Sequence, residues 1–165
     1  MIEDKIISRE EAARIAAEAR RASRKVVFTN GCFDIIHVGH VKCLEAARSF
    51  GDLLMVGINS DESVRRLKGP ERPLLPELDR AATIAGLESV SYVVIFEEPT
   101  PEALIEAIRP NVHVKGGDYQ PEDMPETPLV RRLGGEVRIV PVISGRSTSA
   151  IIERAKKGDS CASSG

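Results

Sequence analysis

The chain has 165 residues, 29% of them charged, with a formal net charge of −2. That length favours one domain with a real core, and the near-balance of charge gives no reason to expect a non-specific attraction to nucleic acid or membrane surfaces. Its three cysteines (Cys32, Cys43, Cys161) form no CxxC pair, the first thirty residues are too charged for a signal peptide, and no apolar run suggests a membrane span, so the expectation is a reduced, cytoplasmic protein.

In chain order, "SREEAARIAAEARRA" predicts a helix, with Ser8 and Glu11 at capping-box spacing. "KVVFT" (25–29) predicts a buried strand, and "HVKCLEAARSFG" a helix that stops near Gly51. "DLLMVGI" (52–58) is a second strand, and residues 60–68 a short helix. The proline-rich loop "GPERPLLP" (69–76) leads into a helix over "ELDRAATIAGLE". "YVVIF" (92–96) is a third strand; a helix from Thr100 and Pro101 ends at Pro110; "VHVK" (112–115) and "EVRIV" (136–140) are the fourth and fifth strands. "STSAIIERAKKG" is a last helix with Ser147 as N-cap. The expected organisation is one domain over 1–158 and a polar, disordered tail over 159–165, whose deletion after Gly158 should leave folding and activity intact.

Apolar strands alternating with helices imply an α/β chain with an open parallel sheet covered on both faces. Ligands of such sheets sit beyond the carboxyl ends of the strands. The stretch "FTNGCFDIIHVGH" (28–40) begins at such an end and holds two of the three histidines. His37 and His40 are three apart at a helix start, hence on nearly the same face, and Gly39 between them lets a bulky anion approach the backbone. Free helix N–H groups and two imidazoles make a cradle for a phosphoryl group. Metal binding by the pair and a merely structural role, as helix cap or surface residues, are the weaker readings; for a metal no third ligand is evident and His113 lies in a strand.

"TNGCFDIIHVGH" resembles the TxGxFDxxHxGH signature of the nucleotidyltransferase superfamily that includes the cytidylyltransferases. "GINSDESVRRLKGPERPLLPELDRA", "VKGGDY" and "GRSTSAII" extend the resemblance, over about residues 24–157, to the adenylyltransferases acting on D-glycero-β-D-manno-heptose 1-phosphate. The resemblance implies a Rossmann-like fold and transfer of the adenylyl group of ATP to a sugar 1-phosphate, with pyrophosphate leaving. It further implies Mg2+ arriving with ATP, a stand-alone form served by a separate sugar kinase, a homodimer, and no nucleic-acid or membrane partner.

By that resemblance His37, His40 and Lys68 are the catalytic candidates, with a solvated surface lysine as the alternative for Lys68. Thr29, Asn30, Gly31, Phe33 and Gly39 belong to the loop and helix start that approach the nucleotide. Arg80 matches an arginine that either serves the site or forms a structural ion pair. Ser147 and Thr148 match a second nucleotide signature, where Ser147 can also simply cap its helix. On the acceptor side stand Asp34, which either touches ligand or organises its loop, and Lys115, Gly116, Gly117 and Asp118 of "VKGGDY". No residue is assigned as a metal ligand. Cys32 is not expected to be a catalytic thiol, because the reaction needs no covalent intermediate.

One departure bears on the nucleotide. Glycerol-3-phosphate cytidylyltransferases carry an RTxGIST-like second signature; here "VISGRST" (142–148) lacks the early arginine and has Arg146 before the serine. A cytidylyltransferase for a small polyol phosphate such as glycerol 3-phosphate is therefore the alternative enzyme. A nucleotide sensor without turnover is the alternative outside catalysis. A class I aminoacyl-tRNA synthetase is excluded by length and by the lack of a KMSKS-like segment.

Overall fold

The computed structural model describes residues 1–142 and 147–161, with side chains described as far as 158. Five strands, β1 (Val26–Gly31), β2 (Leu53–Asn59), β3 (Tyr92–Phe96), β4 (Val112–Gly116) and β5 (Glu136–Val140), form one sheet in the order β3-β2-β1-β4-β5. All four strand pairs are parallel, so every carboxyl end faces the same edge. The order reverses beside β1, which places the switch point between β1 and β4.

Strand alternation divides the apolar residues between two layers. Val27, Leu54, Val56, Ile58 and Val93 pack on one face with Leu44 and Ala47 of α2 (Val38–Arg48) and Ala81 and Ile84 of α4 (Glu77–Ala85). Val26, Phe28, Met55 and Val94 pack on the other, with Ala12 and Ala16 of α1 (Arg9–Arg21), Leu104 and Ile108 of α5 (Glu102–Ile108) and Leu129 of α6 (Thr127–Arg132). The helical connections between successive parallel strands supply both layers from one continuous chain. The helices α3 (Asp61–Lys68) and α7 (Thr148–Cys161) lie toward the carboxyl edge.

The five strands fall where their apolar runs predict, and β1 and β4 each run on to a glycine. Ser8 caps α1 by accepting from the Glu11 N–H at 3.1 Å. Two helices differ from expectation. α4 ends at Ala85, with Gly86 as C-cap, so "GLE" is outside it. α7 continues to Cys161, three residues into the segment expected to be a disordered tail; 162–165 lie outside the described residues. The short helix α6 and the single 3-10 turns at Glu3–Lys5 and Pro121–Asp123 were not expected at all.

His113 is fully buried in β4 and stacks on Phe28 with ring centroids 5.5 Å apart. Neither ring nitrogen makes a full hydrogen bond among the described residues, the Phe28 backbone offering only a weak one. Burial, and secondarily the charge on Lys115, pushes its pKa down to about 4. The folded chain thus keeps the ring neutral while the unfolded chain protonates it near pH 6.5. Stability is full above pH 6.5 and is lost as pH falls toward 4, by about 3 kcal/mol for a shift of this size. Substitution His113→Leu removes a buried pair of weakly satisfied nitrogens and is expected to flatten the acid side of the stability profile. Urea midpoints at pH 7 and pH 5 check this; an unchanged gap between the two would contradict it.

Candidate active site

β1 ends at Gly31, and the chain must then turn out of the sheet toward α2. A Cβ at Gly31 would stand 3.1 Å from the Phe33 ring, a tight contact that the ring could relieve only by shifting a few tenths of an ångström. Phe33 itself has φ of 49°, a conformation uncommon for a bulky residue. The loop is held from outside. The Asp34 carboxylate, 4% exposed, accepts from the Leu74 N–H at 2.9 Å and the Leu75 N–H at 3.0 Å, with the Arg72 guanidinium at 3.5 Å. Its oxygens are engaged by the proline-rich loop, which fits the loop-organising alternative for Asp34, a residue that also lines the cavity at the carboxyl edge of the sheet.

His37 is the N-cap of α2, and His40 lies within its first turn. The Gly39 N–H donates to His37 Nδ1 at 3.1 Å, and the His37 N–H donates to His40 Nδ1 at 3.3 Å. Histidine side chains thus perform the capping that serine or aspartate usually provides. A ring nitrogen that accepts carries no proton, so in both imidazoles the proton sits on Nε2, the free donor. The rings lie 3.9 Å apart. Burial pushes the pKa of His40 down to about 4, with His37 and Lys68 adding to the effect, and burial lowers that of His37 as well. The site therefore presents two neutral N–H donors side by side at a helix N-terminus.

Facing them is a cavity of about 410 Å³ at the carboxyl edge of the sheet. Thr29, Asn30, Gly31, Phe33, Asp34, His37, Gly39, His40, Lys68, Lys115, Gly116, Ser147 and Thr148 all line it. Lys68 comes from the last residue of α3 and Lys115 from β4. The Thr148 hydroxyl donates to the Ile35 carbonyl at 3.0 Å and ties the start of α7 to the β1–α2 loop. Ser147 accepts from the Ala150 N–H at 3.1 Å, so it caps α7 while bordering the cavity. Arg146, with the rest of 143–146, lies outside the described residues.

Three expected residues are not at the cavity. Arg80 is fully buried and donates to the carbonyls of Leu75 (2.9 Å), Cys32 (2.6 Å) and Asn59 (2.9 Å) and to the Asp61 carboxylate (2.7 Å). Four of its five N–H donors are engaged and the side chain is fully buried away from the cavity, so its expected nucleotide contact is corrected to the structural alternative, a bolt between loops. Gly117 has φ of 148°, and the Tyr119 ring fills the space where its Cβ would be, at 2.4 Å. Gly117 serves this turn, and neither it nor Asp118 borders the cavity.

Cys32 and Cys43 line the cavity without having been expected there. For Cys43 a signal existed: it follows His40 by three on one helix, hence on the same face. Burial raises both thiol pKa values, which keeps them protonated and poorly nucleophilic. A second depression, of about 480 Å³, lies at the amino ends of β2 and β3 against α1. Its charged wall is closed on itself, Arg14 pairing with Glu11 and Glu18 at 2.5 Å. The residues expected from the sequence to carry the chemistry gather at the first cavity.

Residues 28–154 match the family model described as cytidylyltransferase-like. This chain belongs to the cytidylyltransferase-like family. It is an enzyme of the nucleotidyltransferase class, and its five-stranded parallel sheet is the Rossmann-like sheet expected of one. The protein is 53% identical over 152 residues to the bifunctional protein HldE of Trichlorobacter lovleyi, covering 92% of this chain and 31% of that one. It is 56% identical over 147 residues to the bifunctional protein HldE of Geotalea uraniireducens, covering 89% and 30%. It thus spans under a third of the length of these curated relatives. Among solved structures it is similar to the lipopolysaccharide core biosynthesis protein of Thermoplasma volcanium, with a TM-score of 0.59, 28% identity, and coverage of 73% of this chain and 97% of that one. The pantoate-beta-alanine ligase of Francisella tularensis shares the fold, with a TM-score of 0.56 at 15% identity, covering 87% and 68%. No helix among the described residues is long and apolar enough to cross a membrane.

Proposed function

We propose that this nucleotidyltransferase moves the adenylyl group of ATP onto a sugar 1-phosphate, D-glycero-β-D-manno-heptose 1-phosphate in the first instance, giving ADP-heptose and pyrophosphate. The observation that carries the reading is the pair of neutral Nε2–H donors of His37 and His40 at the start of α2, beside Lys68 and Lys115. Identity of about half the residues to part of a bifunctional HldE supports the heptose acceptor.

The acceptor phosphate oxygen is already a nucleophile at neutral pH, so the site needs no strong base. What it needs is alignment and stabilisation of charge at the α-phosphoryl group. His37 and His40 donate to the oxygens of that group. The starts of α2 and α7 hold the departing phosphates through the positive ends of their helix dipoles and the N–H groups that the caps leave unoccupied. Lys68 and Lys115 offset the charge of nucleotide and acceptor together. The new bond joins the acceptor oxygen to the α-phosphorus, and the bond to the bridging oxygen of pyrophosphate breaks.

A divalent ion enters as part of the nucleotide substrate. The described residues contain no group of three His, Cys, Asp or Glu placed to hold a metal, and the one carboxylate at the cavity, Asp34, is engaged by backbone N–H groups. Mg2+ fits this site through phosphate and water ligands. The reading also places the enzyme in the cytoplasm as a homodimer, downstream of a sugar kinase that supplies the 1-phosphate. Incubation with ATP labelled at the α-phosphorus tests it. Label is expected in the sugar nucleotide and none in pyrophosphate; label confined to AMP or ADP would refute transfer to the sugar.

A further inference from the structure

Most polar side chains around the cavity already have protein partners. Thr29 donates to the Val114 carbonyl, Asp34 accepts from two loop N–H groups, Thr148 donates to Ile35, and both histidine Nδ1 atoms accept from the backbone. The histidine Nε2–H groups and the two lysines are donors, matched to phosphate oxygens. The Asn30 side-chain oxygen is of the opposite kind: a buried acceptor with no partner among the described residues. Phosphate oxygens cannot satisfy it; a hydroxyl can.

Its position separates it from the histidines. Phe28, two residues earlier on β1, packs in the layer of α1, α5 and α6, and Asn30 shares that face. Its register partner Gly57 confirms the direction, since a Cβ there would meet Phe28 and Leu104 of α5. On β4, His113 stacks on Phe28, so Lys115 also lies on that face, whereas Gly116 turns toward Cys43 of α2. Asn30 and Lys115 are therefore neighbours on adjacent strands, on the far side of the sheet's lip from α2. In-line displacement sets nucleophile and leaving group on opposite sides of the phosphorus. With pyrophosphate held at the starts of α2 and α7, the acceptor arrives from the side of Asn30 and Lys115.

We propose that Asn30, expected from the sequence on the nucleotide side, is instead a specificity-determining residue for the acceptor: Lys115 holds the acceptor phosphate, and the Asn30 side chain, which lines the cavity, turns its buried oxygen outward to accept from the hydroxyl on the neighbouring carbon. The assignment rests on the sugar-phosphate reading above and deepens it. It makes the substrate class a sugar 1-phosphate with a free hydroxyl next to the phosphorylated carbon. An analogue lacking that hydroxyl leaves a buried acceptor unmet.

The test compares heptose 1-phosphate with its 2-deoxy counterpart at saturating ATP. Wild-type kcat/KM is expected to favour the hydroxyl-bearing substrate by about tenfold or more. Asn30→Ala is expected to bring the ratio close to one while KM for ATP changes by less than about threefold. Asn30→Leu, close in size and without an acceptor, repeats the measurement where truncation disturbs folding. Asn30→Asp keeps an acceptor oxygen and is expected to keep the preference. An active wild type whose preference survives in both the Ala and Leu variants overturns the assignment and leaves the proposed function standing. A wild type silent with every sugar 1-phosphate overturns both.

Discussion

Replacing His40 by alanine is expected to lower kcat by about a hundredfold or more while ATP affinity changes little. The His40 ring is held from three sides: its Nδ1 accepts from the His37 N–H, its face lies 3.9 Å from the His37 ring, and Phe33 sits 5.3 Å away. The one free atom, Nε2–H, faces the cavity as a preorganised neutral donor. Charge on the α-phosphoryl oxygens grows in the transition state, so the bond is worth most there. The substitution also removes a cap from the start of α2, at a cost of about 1 kcal/mol. Thermal unfolding of the variant separates that cost from the catalytic loss. His40→Asn restores an N–H donor and is expected to recover part of kcat. A folded His40→Ala enzyme with near-normal turnover would remove His40 from the chemistry.

The largest loss of stability is expected from Arg80→Ala. The guanidinium is fully buried and holds the β1–α2 loop through Cys32, the end of β2 through Asn59, the start of α3 through Asp61 and the proline-rich loop through Leu75. Removing it leaves three carbonyls without their donor and the Asp61 carboxylate, 29% exposed, without its partner. Breaking a buried pair of this kind costs about 3–5 kcal/mol. Arg80→Lys is not expected to rescue it, because a single ammonium cannot reproduce the planar fork that reaches four acceptors. Urea unfolding measures the loss. A midpoint within error of wild type for Arg80→Ala would show that the four bonds contribute nothing net.

Arg80 and Asp34 also show why the site was legible only in part. The histidine pair, Gly39 and Ser147 act within one helical turn, and their spacing carries the geometry. Asp34 meets residues 40 and 41 positions away, and Arg80 meets Cys32 at 48 positions. Nothing local distinguishes a carboxylate that binds a ligand from one that binds a distant loop. The strands were legible because each is a short apolar run bounded by turns. α6 was not: Pro125 and Pro128 flank or enter it, and six residues carry too little periodicity to register. Asn30 read as a loop residue because its β1 extension depends on pairing with Gly57, an interaction made by the sheet.

The most direct test of the account is a matrix of ATP and CTP against heptose 1-phosphate and glycerol 3-phosphate, read as kcat/KM from pyrophosphate release under one set of conditions. A wrong base or acceptor leaves buried polar groups unpaired at about 1–3 kcal/mol each, enough for roughly tenfold discrimination or more. The account predicts that ATP with heptose 1-phosphate exceeds every other pairing by at least about that factor. A preference for CTP with glycerol 3-phosphate would contradict it.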